Sequence, residues 1–207
     1  MGAGLTRSYD VDVSQTISAG DIVVLNNANS TVRVCKLTST MIAASFTNTS
    51  VAGLLGVAKH DVKTDSAGAP VGGVTPPSTV AAGAAPQYPL PSYAAGIDTD
   101  PVTGNARLLV QVFNDDSEFY IRAQASGNAA VTVSSTKIGH TIGIQTYNTV
   151  DFAANESSVT ADIVGEVTAV NETDPFFNVS STQCKYLFSV KPAYQQYLTG
   201  IFYAAAT

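Results

Sequence analysis

Apolar residues along this chain come in short runs that alternate with polar ones, cut by clusters of turn formers, and this period of two predicts strands. Asp21-Ile-Val-Val-Leu25 lies between Ala19-Gly20 and Asn26-Asn27. Thr31-Val-Arg-Val-Cys-Lys-Leu37 follows, with Val32 and Val34 on one face and Arg33 and Cys35 on the other. The two are expected to pair as a hairpin across residues 26–30. In residues 51–62, Gly53 and Gly56 flank Leu54-Leu55, a placement that permits a bend or a close approach of backbones. From Arg107 the alternation sharpens. Leu108, Val110 and Val112 share a face, Asn114-Asp115-Asp116-Ser117 forms a turn, and Phe119, Ile121, Ala123 and Ala125 alternate with Tyr120, Arg122 and Gln124. Ser126-Gly-Asn128 turns the chain into Ala130-Val-Thr-Val133. Residues 159–170 read as one bent strand or two, broken at Gly165, and the last strand places Cys184, Tyr186, Phe188 and Val190 on one face.

Two stretches depart from this pattern. Residues 66–97 contain no charged residue and six of the nine prolines, with Gly and Ala supplying much of the rest. Proline removes backbone donors and favours extended chain, so this is a long loop or arm rather than part of a central sheet. Tyr88, Leu90 and Tyr93 give it apolar anchors that a plain solvated linker does not need. After Pro192, residues Tyr194, Tyr197, Leu198, Ile201 and Phe202 follow the i, i+3, i+4, i+7, i+8 spacing of a short helix, which Gly200 weakens. So short a helix must dock, either on its own β core or on an adjacent protomer. These eight side chains are the interaction candidates. The expected architecture is all-β: an antiparallel barrel or sandwich with an extended arm and an aromatic tail. It divides into a β segment at 1–63, the arm at 64–104, a second β segment at 105–191 that can share a domain with the first, and a tail at 192–207.

Composition narrows the functional classes. Charged residues make up 13% of the 207, about half the usual share, and the net charge is -6. Binding to phosphates needs clustered Lys and Arg, so nucleic acid is not an expected partner. No apolar run approaches the roughly 20 residues of a membrane-spanning helix, and a soluble chain without membrane contact is expected. Gly2 and Thr6 fit the loose myristoylation pattern, but no basic patch lies nearby to support one acyl chain.

Catalytic chemistry has few candidates. His60 sits where a strand emerges toward solvent, and His140 is expected to be a turn histidine bonded to backbone. Neither spacing suggests a triad. Asp98-Thr-Asp100 lacks the third carboxylate and closing glutamate of a calcium loop, and Asp115-Asp116-Ser-Glu118 sits where a hairpin turn is expected, so both read as turns. Nucleotide-binding and zinc-protease motifs do not occur. The five N-x-[ST] sequons, at Asn29, Asn48, Asn155, Asn171 and Asn178, fit the abundance of Asn, Ser and Thr. Cys35 and Cys184 have no metal-site spacing and read as reduced, partly buried thiols, although a single disulfide stays open. No enzyme activity, cofactor or metal is expected.

The order of these segments resembles a family of proteins. Ala19-Gly-Asp-Ile-Val-Val24 and Gly53-Leu-Leu-Gly-Val-Ala58 are similar to the small barrel segments of bacteriophage capsid decoration (cement) proteins. Ser117-Glu-Phe-Tyr-Ile-Arg122, Ile138-Gly-His140, Asp162-Ile-Val-Gly-Glu166 and a final Phe-x-Val strand resemble virion structural proteins in the same order. The long proline-rich stretch is a departure from the family. The resemblance implies a non-enzymatic protein, made in a bacterial host cytoplasm, that sits on the capsid surface. Its implied partners are the major capsid protein and further copies of itself, a trimer being favoured. A tail or coat component, or a carbohydrate-binding β module on the virion surface, is the alternative.

Overall fold

The structure is a computed structural model, and it describes residues 5–28, 31–38, 41, 53–71, 99–100, 102–115, 117–125, 129–146, 152–156, 165–199 and 203–204. Strands dominate it. In chain order they are β1 (Thr6–Asp10), β2 (Thr16–Ile17), β3 (Ile22–Ala28), β4 (Thr31–Lys36), β5 (Gly56–Ala58), β6 (Val62–Lys63), β7 (Arg107–Val112), β8 (Phe119–Arg122), β9 (Val131–Thr132), β10 (Thr141–Thr146), β11 (Phe152–Glu156), β12 (Gly165–Ala169), β13 (Ser180–Ser181), β14 (Lys185–Val190) and β15 (Tyr203–Ala204). The only α-helix among the described strands and turns that follow Pro192 is α1 (Gln196–Thr199). No helix among the described residues is long and apolar enough to cross a membrane.

Two larger sheets carry the fold. The first runs β1-β7-β5-β3, with β15 continuing along the β5 side of β3 and β4 on its other side. The second runs β11-β10-β12-β14-β8. Every pairing is antiparallel except β15 with β3. The predicted hairpin is present: Val23 faces Lys36 and Ala28 faces Thr31. Both sheets curl. In the first, β4 meets the chain leaving β1 at a Val11–Val34 bridge, where the Asp12 N–H donates to the Val34 carbonyl at 2.8 Å. In the second, Ala123 bridges to Ala154 of β11. These contacts are single bridges, and no closed barrel forms among the described residues.

The burial pattern explains why β3 is a continuous apolar run while β7 and β14 alternate. Ile22 and Val24 point into a core shared by both sheets, whereas Val23 and Leu25 point into a second core on the opposite face. A strand buried on both faces needs apolar residues at every position. The same holds in β4, where Cys35 enters the shared core and Val34 the other. On β7, by contrast, Leu108, Val110 and Val112 are buried and Leu109 is exposed. On β14, Tyr186, Phe188 and Val190 all enter the shared core, as their spacing predicts. Gln124 breaks its expected place on the solvent face. It is buried, because the chain beyond β8 crosses onto β11 and its N–H donates to the Ala154 carbonyl.

Glycine permits two close backbone approaches. A side chain at Gly56 would collide with the Gln111 carbonyl of β7, and one at Gly53 with the Tyr194 carbonyl. The second approach is where the C-terminal segment docks. The spacing after Pro192 predicts one helix, but the structure differs: residues Pro192–Tyr194 form a 3-10 turn, Gln195 is extended, and α1 lasts four residues. Gln195 is extended because it bridges to Leu54, whose N–H donates to the Tyr194 carbonyl at 2.6 Å while the Gln196 N–H donates to the Leu54 carbonyl at 3.0 Å. Tertiary hydrogen bonds take the backbone groups that a continuous helix would have paired within itself.

Candidate functional site

The two histidines are both held, in different ways. The ring of His60 is fixed between backbones. Its Nε2 accepts the Leu109 N–H at 3.1 Å, so the proton resides on Nδ1, which donates to the Asp61 carbonyl at 3.1 Å. His140 differs from the expectation of a backbone-bonded ring. Its main chain is bonded, to the Lys137 carbonyl and the Val167 N–H, but its ring Nδ1 lies 2.9 Å from Glu156 Oε2.

Glu156 is the centre of a cluster that joins three elements. From β14, the Tyr186 hydroxyl donates to Oε1 at 2.7 Å. From the turn before β10, Lys137 Nζ approaches Oε1 at 2.8 Å and Oε2 at 3.1 Å, next to His140. Partial burial pushes the Glu156 pKa up, but hydrogen bonds from Lys137, Tyr186 and His140 outweigh it and bring the value from an ordinary 4.5 down to about 2. Burial, and then the adjacent carboxylate, hold the Tyr186 phenol well above its usual 10. A carboxylate with three donors and so low a pKa is a poor proton acceptor at neutral pH, and its chemistry is that of a tie between elements. No sequence signal points to it, since its partners lie 16 to 30 residues away.

A pH dependence follows. The folded-state pKa lies below the unfolded one, so this carboxylate stabilises the fold above about pH 4.5, and that contribution fades as pH falls from 4.5 toward 2. In urea unfolding across this range, Glu156→Gln is expected to be less stable than the parent chain at neutral pH. The gap should narrow steadily on acidification, and a gap that stays constant down to pH 2 contradicts the cluster.

The other candidates are taken up by structure. Asp100 Oδ1 accepts the N–H groups of Val102 and Thr103, and these two bonds lower its pKa. Asp115 Oδ1 accepts from Gln195 Nε2 at 3.1 Å. Asp98 and Asp116 lie outside the described residues. Among the described residues, no three His, Cys, Asp or Glu side chains gather as metal ligands would. Cys35 and Cys184 are both free, buried thiols in the shared core. Burial, then Asp12, push the Cys35 thiol up to about 12, which leaves it protonated and unreactive at neutral pH.

Of the eight interaction candidates, Tyr88, Leu90, Tyr93, Ile201 and Phe202 lie outside the described residues. The rest lie in the docked C-terminal segment. Tyr194 is half-buried and packs on the shared core, Tyr197 is exposed and its hydroxyl accepts from Arg7 Nη2 at 3.5 Å, and Leu198 belongs to α1. The residues that fasten this segment are two glutamines that the apolar spacing passes over. Gln196 presents its side-chain amide to β3 as a strand would: the Leu25 N–H donates to Oε1 at 2.6 Å, and Nε2 donates to the Leu25 carbonyl at 3.2 Å. This fills the gap on β3 between its pairings with β5 and with β15. Gln195 Nε2 reaches the Val190 carbonyl at 2.7 Å as well as Asp115. The signal available in the sequence was two adjacent amides inside an apolar tail.

Compared with protein-family models, curated proteins and solved structures, the chain matches none.

Among the described residues, a cavity of about 390 Å³ is lined by residues of both sheets. Phe113, Phe119 and Phe188 are among its lining residues. They are mutually packed, with Phe113 and Phe119 edge to face at 4.5 Å between centroids. Its lining also includes residues of β8, Val57 of β5, and Gly20 and Asp21 just before β3.

Proposed function

We propose that this chain is a bacteriophage capsid decoration protein that binds the outer surface of the capsid lattice and stabilises the head. The observation that carries the reading is the order of its strand segments, from Ala19-Gly-Asp-Ile-Val-Val24 through Ser117-Glu-Phe-Tyr-Ile-Arg122 to the last Phe-x-Val strand, which resembles that family. An all-β body of two sheets around a shared core, with its histidines and central carboxylate engaged in internal bonds, suits a protein that holds rather than converts. The surface of few charges suits adhesion to protein rather than to nucleic acid. The uncharged segment 66–97 supplies Tyr88, Leu90 and Tyr93 as anchors on the major capsid protein or on neighbouring copies, with a trimer the favoured assembly. A specific contact of this kind buries about 1,600 Å² in total, and repetition over a symmetric shell multiplies its effect.

The test is to add the purified chain to expanded capsids that lack it. Co-sedimentation with the shell and a higher capsid melting temperature are expected, and Tyr88→Ser with Leu90→Ser should weaken both. Absence of binding to every capsid intermediate overturns the proposal.

A further inference from the structure

Strand β8 ends the second sheet, and part of its outer edge is open. It pairs with β14 from Phe119 opposite Phe188 to Arg122 opposite Lys185. The next residue, Ala123, donates its N–H to the Cys184 carbonyl at 2.8 Å. Main-chain groups along an antiparallel pair alternate in direction, so Phe119, Ile121 and Ala123 bond to β14 while the N–H and carbonyl of Tyr120 point away from it. Gln124 keeps the same alternation: its N–H points outward and donates to the Ala154 carbonyl at 2.9 Å. That contact with β11 closes the edge beyond Arg122, and among the described residues no strand pairs with Tyr120 on its outer side. All four residues of β8 line the cavity described above, so this edge borders open space. An unpaired strand edge is a ready template for another strand.

We infer that this edge pairs with the same edge of a second copy of the chain, antiparallel about a twofold axis at Tyr120. Charge selects that occupant, because Glu118-Phe-Tyr-Ile-Arg122 is complementary to itself when reversed. In this register Glu118 of each copy stands opposite Arg122 of the other, Phe119 opposite Ile121, and Tyr120 opposite Tyr120. Glu118 is exposed and has no ion pair within its own copy among the described residues. Arg122 has contacts within its own copy, and the pairing draws on its charge rather than on an empty place beside it. A twofold axis at Glu118 would instead set two carboxylates face to face, and like charges directly opposite are destabilising. The two Tyr120 residues exchange main-chain hydrogen bonds, and their rings, each 55% exposed in the single chain, meet on the face away from the core. Such a contact is isologous and small, so the dimer is weak and reversible. The inference uses no part of the capsid reading, and a two-copy contact through β8 is separate from the trimer favoured there, so either can fail without the other.

The experiment is sedimentation equilibrium of the purified full chain, without capsids, over a range of concentrations, with amide exchange read at Tyr120 over the same range. A monomer–dimer equilibrium with a dissociation constant of about 1 mM or tighter is expected, and the Tyr120 amide should exchange more slowly as the dimer fills. Glu118→Arg sets like charges opposite each other and should weaken the dimer about tenfold or more. Mixing that variant with Arg122→Glu restores two opposite-charge pairs, and the resulting heterodimer should be within about threefold of the parent. Because Glu118 is exposed, the circular dichroism and melting temperature of Glu118→Arg should match those of the parent. A chain that stays monomeric up to millimolar concentration, or self-association that Glu118→Arg leaves unchanged, overturns the inference.

Discussion

Replacing Gln196 with leucine will destabilise the protein by about 1–3 kcal/mol, a large effect for a substitution that nearly preserves volume. The cost does not come from a void. It comes chiefly from the buried Leu25 N–H, which Gln196 Oε1 accepts at the gap between β5 and β15; the Leu25 carbonyl loses the Gln196 amide but keeps its place in the parallel pairing with β15. A buried backbone N–H left without a partner costs roughly 1–3 kcal/mol, and leucine abandons this one. Gln196→Glu separates the two bonds, because a carboxylate still accepts the Leu25 N–H but cannot donate to its carbonyl. Because the site is buried and the second oxygen would face the Leu25 carbonyl, the charged form should be at least as destabilising as leucine, with stability recovered where the acid is protonated and can donate. Urea unfolding gives the free energies, and amide exchange at Leu25 locates the loss. A leucine variant as stable as the parent would mean that the tail does not fasten β3.

Phe188→Ala is expected to cost about 3–5 kcal/mol, the range for deleting a fully buried aromatic ring. Phe188 is 1% exposed and lies 6.0 Å from the Phe113 ring and 6.3 Å from the Phe119 ring, between centroids. Phe113 directly follows β7 of the first sheet, and Phe119 and Phe188 belong to the second, so the triplet is where the two sheets are packed together. The comparison that isolates burial is Tyr120→Ala on the neighbouring edge strand. It removes an equally large ring from an exposed position and should change stability by no more than about 0.5 kcal/mol. Thermal or urea unfolding of both variants is sufficient. Similar losses in the two would contradict the assignment of the shared core.

The strands were legible because each reports its own environment. Where one face is buried, as in β7 and β14, apolar residues recur at every second position. Where both faces are buried, as in β3, the run is continuous. The hairpin of β3 and β4 was legible for a related reason: Asn and Ser between two apolar runs favour a turn, and a turn between neighbouring runs pairs them. The close backbone approaches at Gly53 and Gly56 were legible as glycines inside an apolar stretch, though not the identity of what approaches.

What the tail and the polar sites do was not legible, because it depends on groups that lie far apart in the chain. The apolar spacing of Tyr194, Tyr197 and Leu198 describes a helix, yet Leu54 draws Gln195 into extended chain 141 residues away and Gln196 completes the ladder of β3 at a distance of 171. Local periodicity carries no record of a partner that distant. The same is true of Glu156, an ordinary acid at a strand end until the fold brings Lys137, His140 and Tyr186 to it. By itself the sequence determined an all-β chain, where most of its strands lie and which faces they bury, since period and turn chemistry are local properties. The tertiary structure alone decided how the strands curl into two sheets around a shared core, that the tail fastens onto that core, and which polar groups gather on Glu156. Those outcomes depend on which distant surfaces meet.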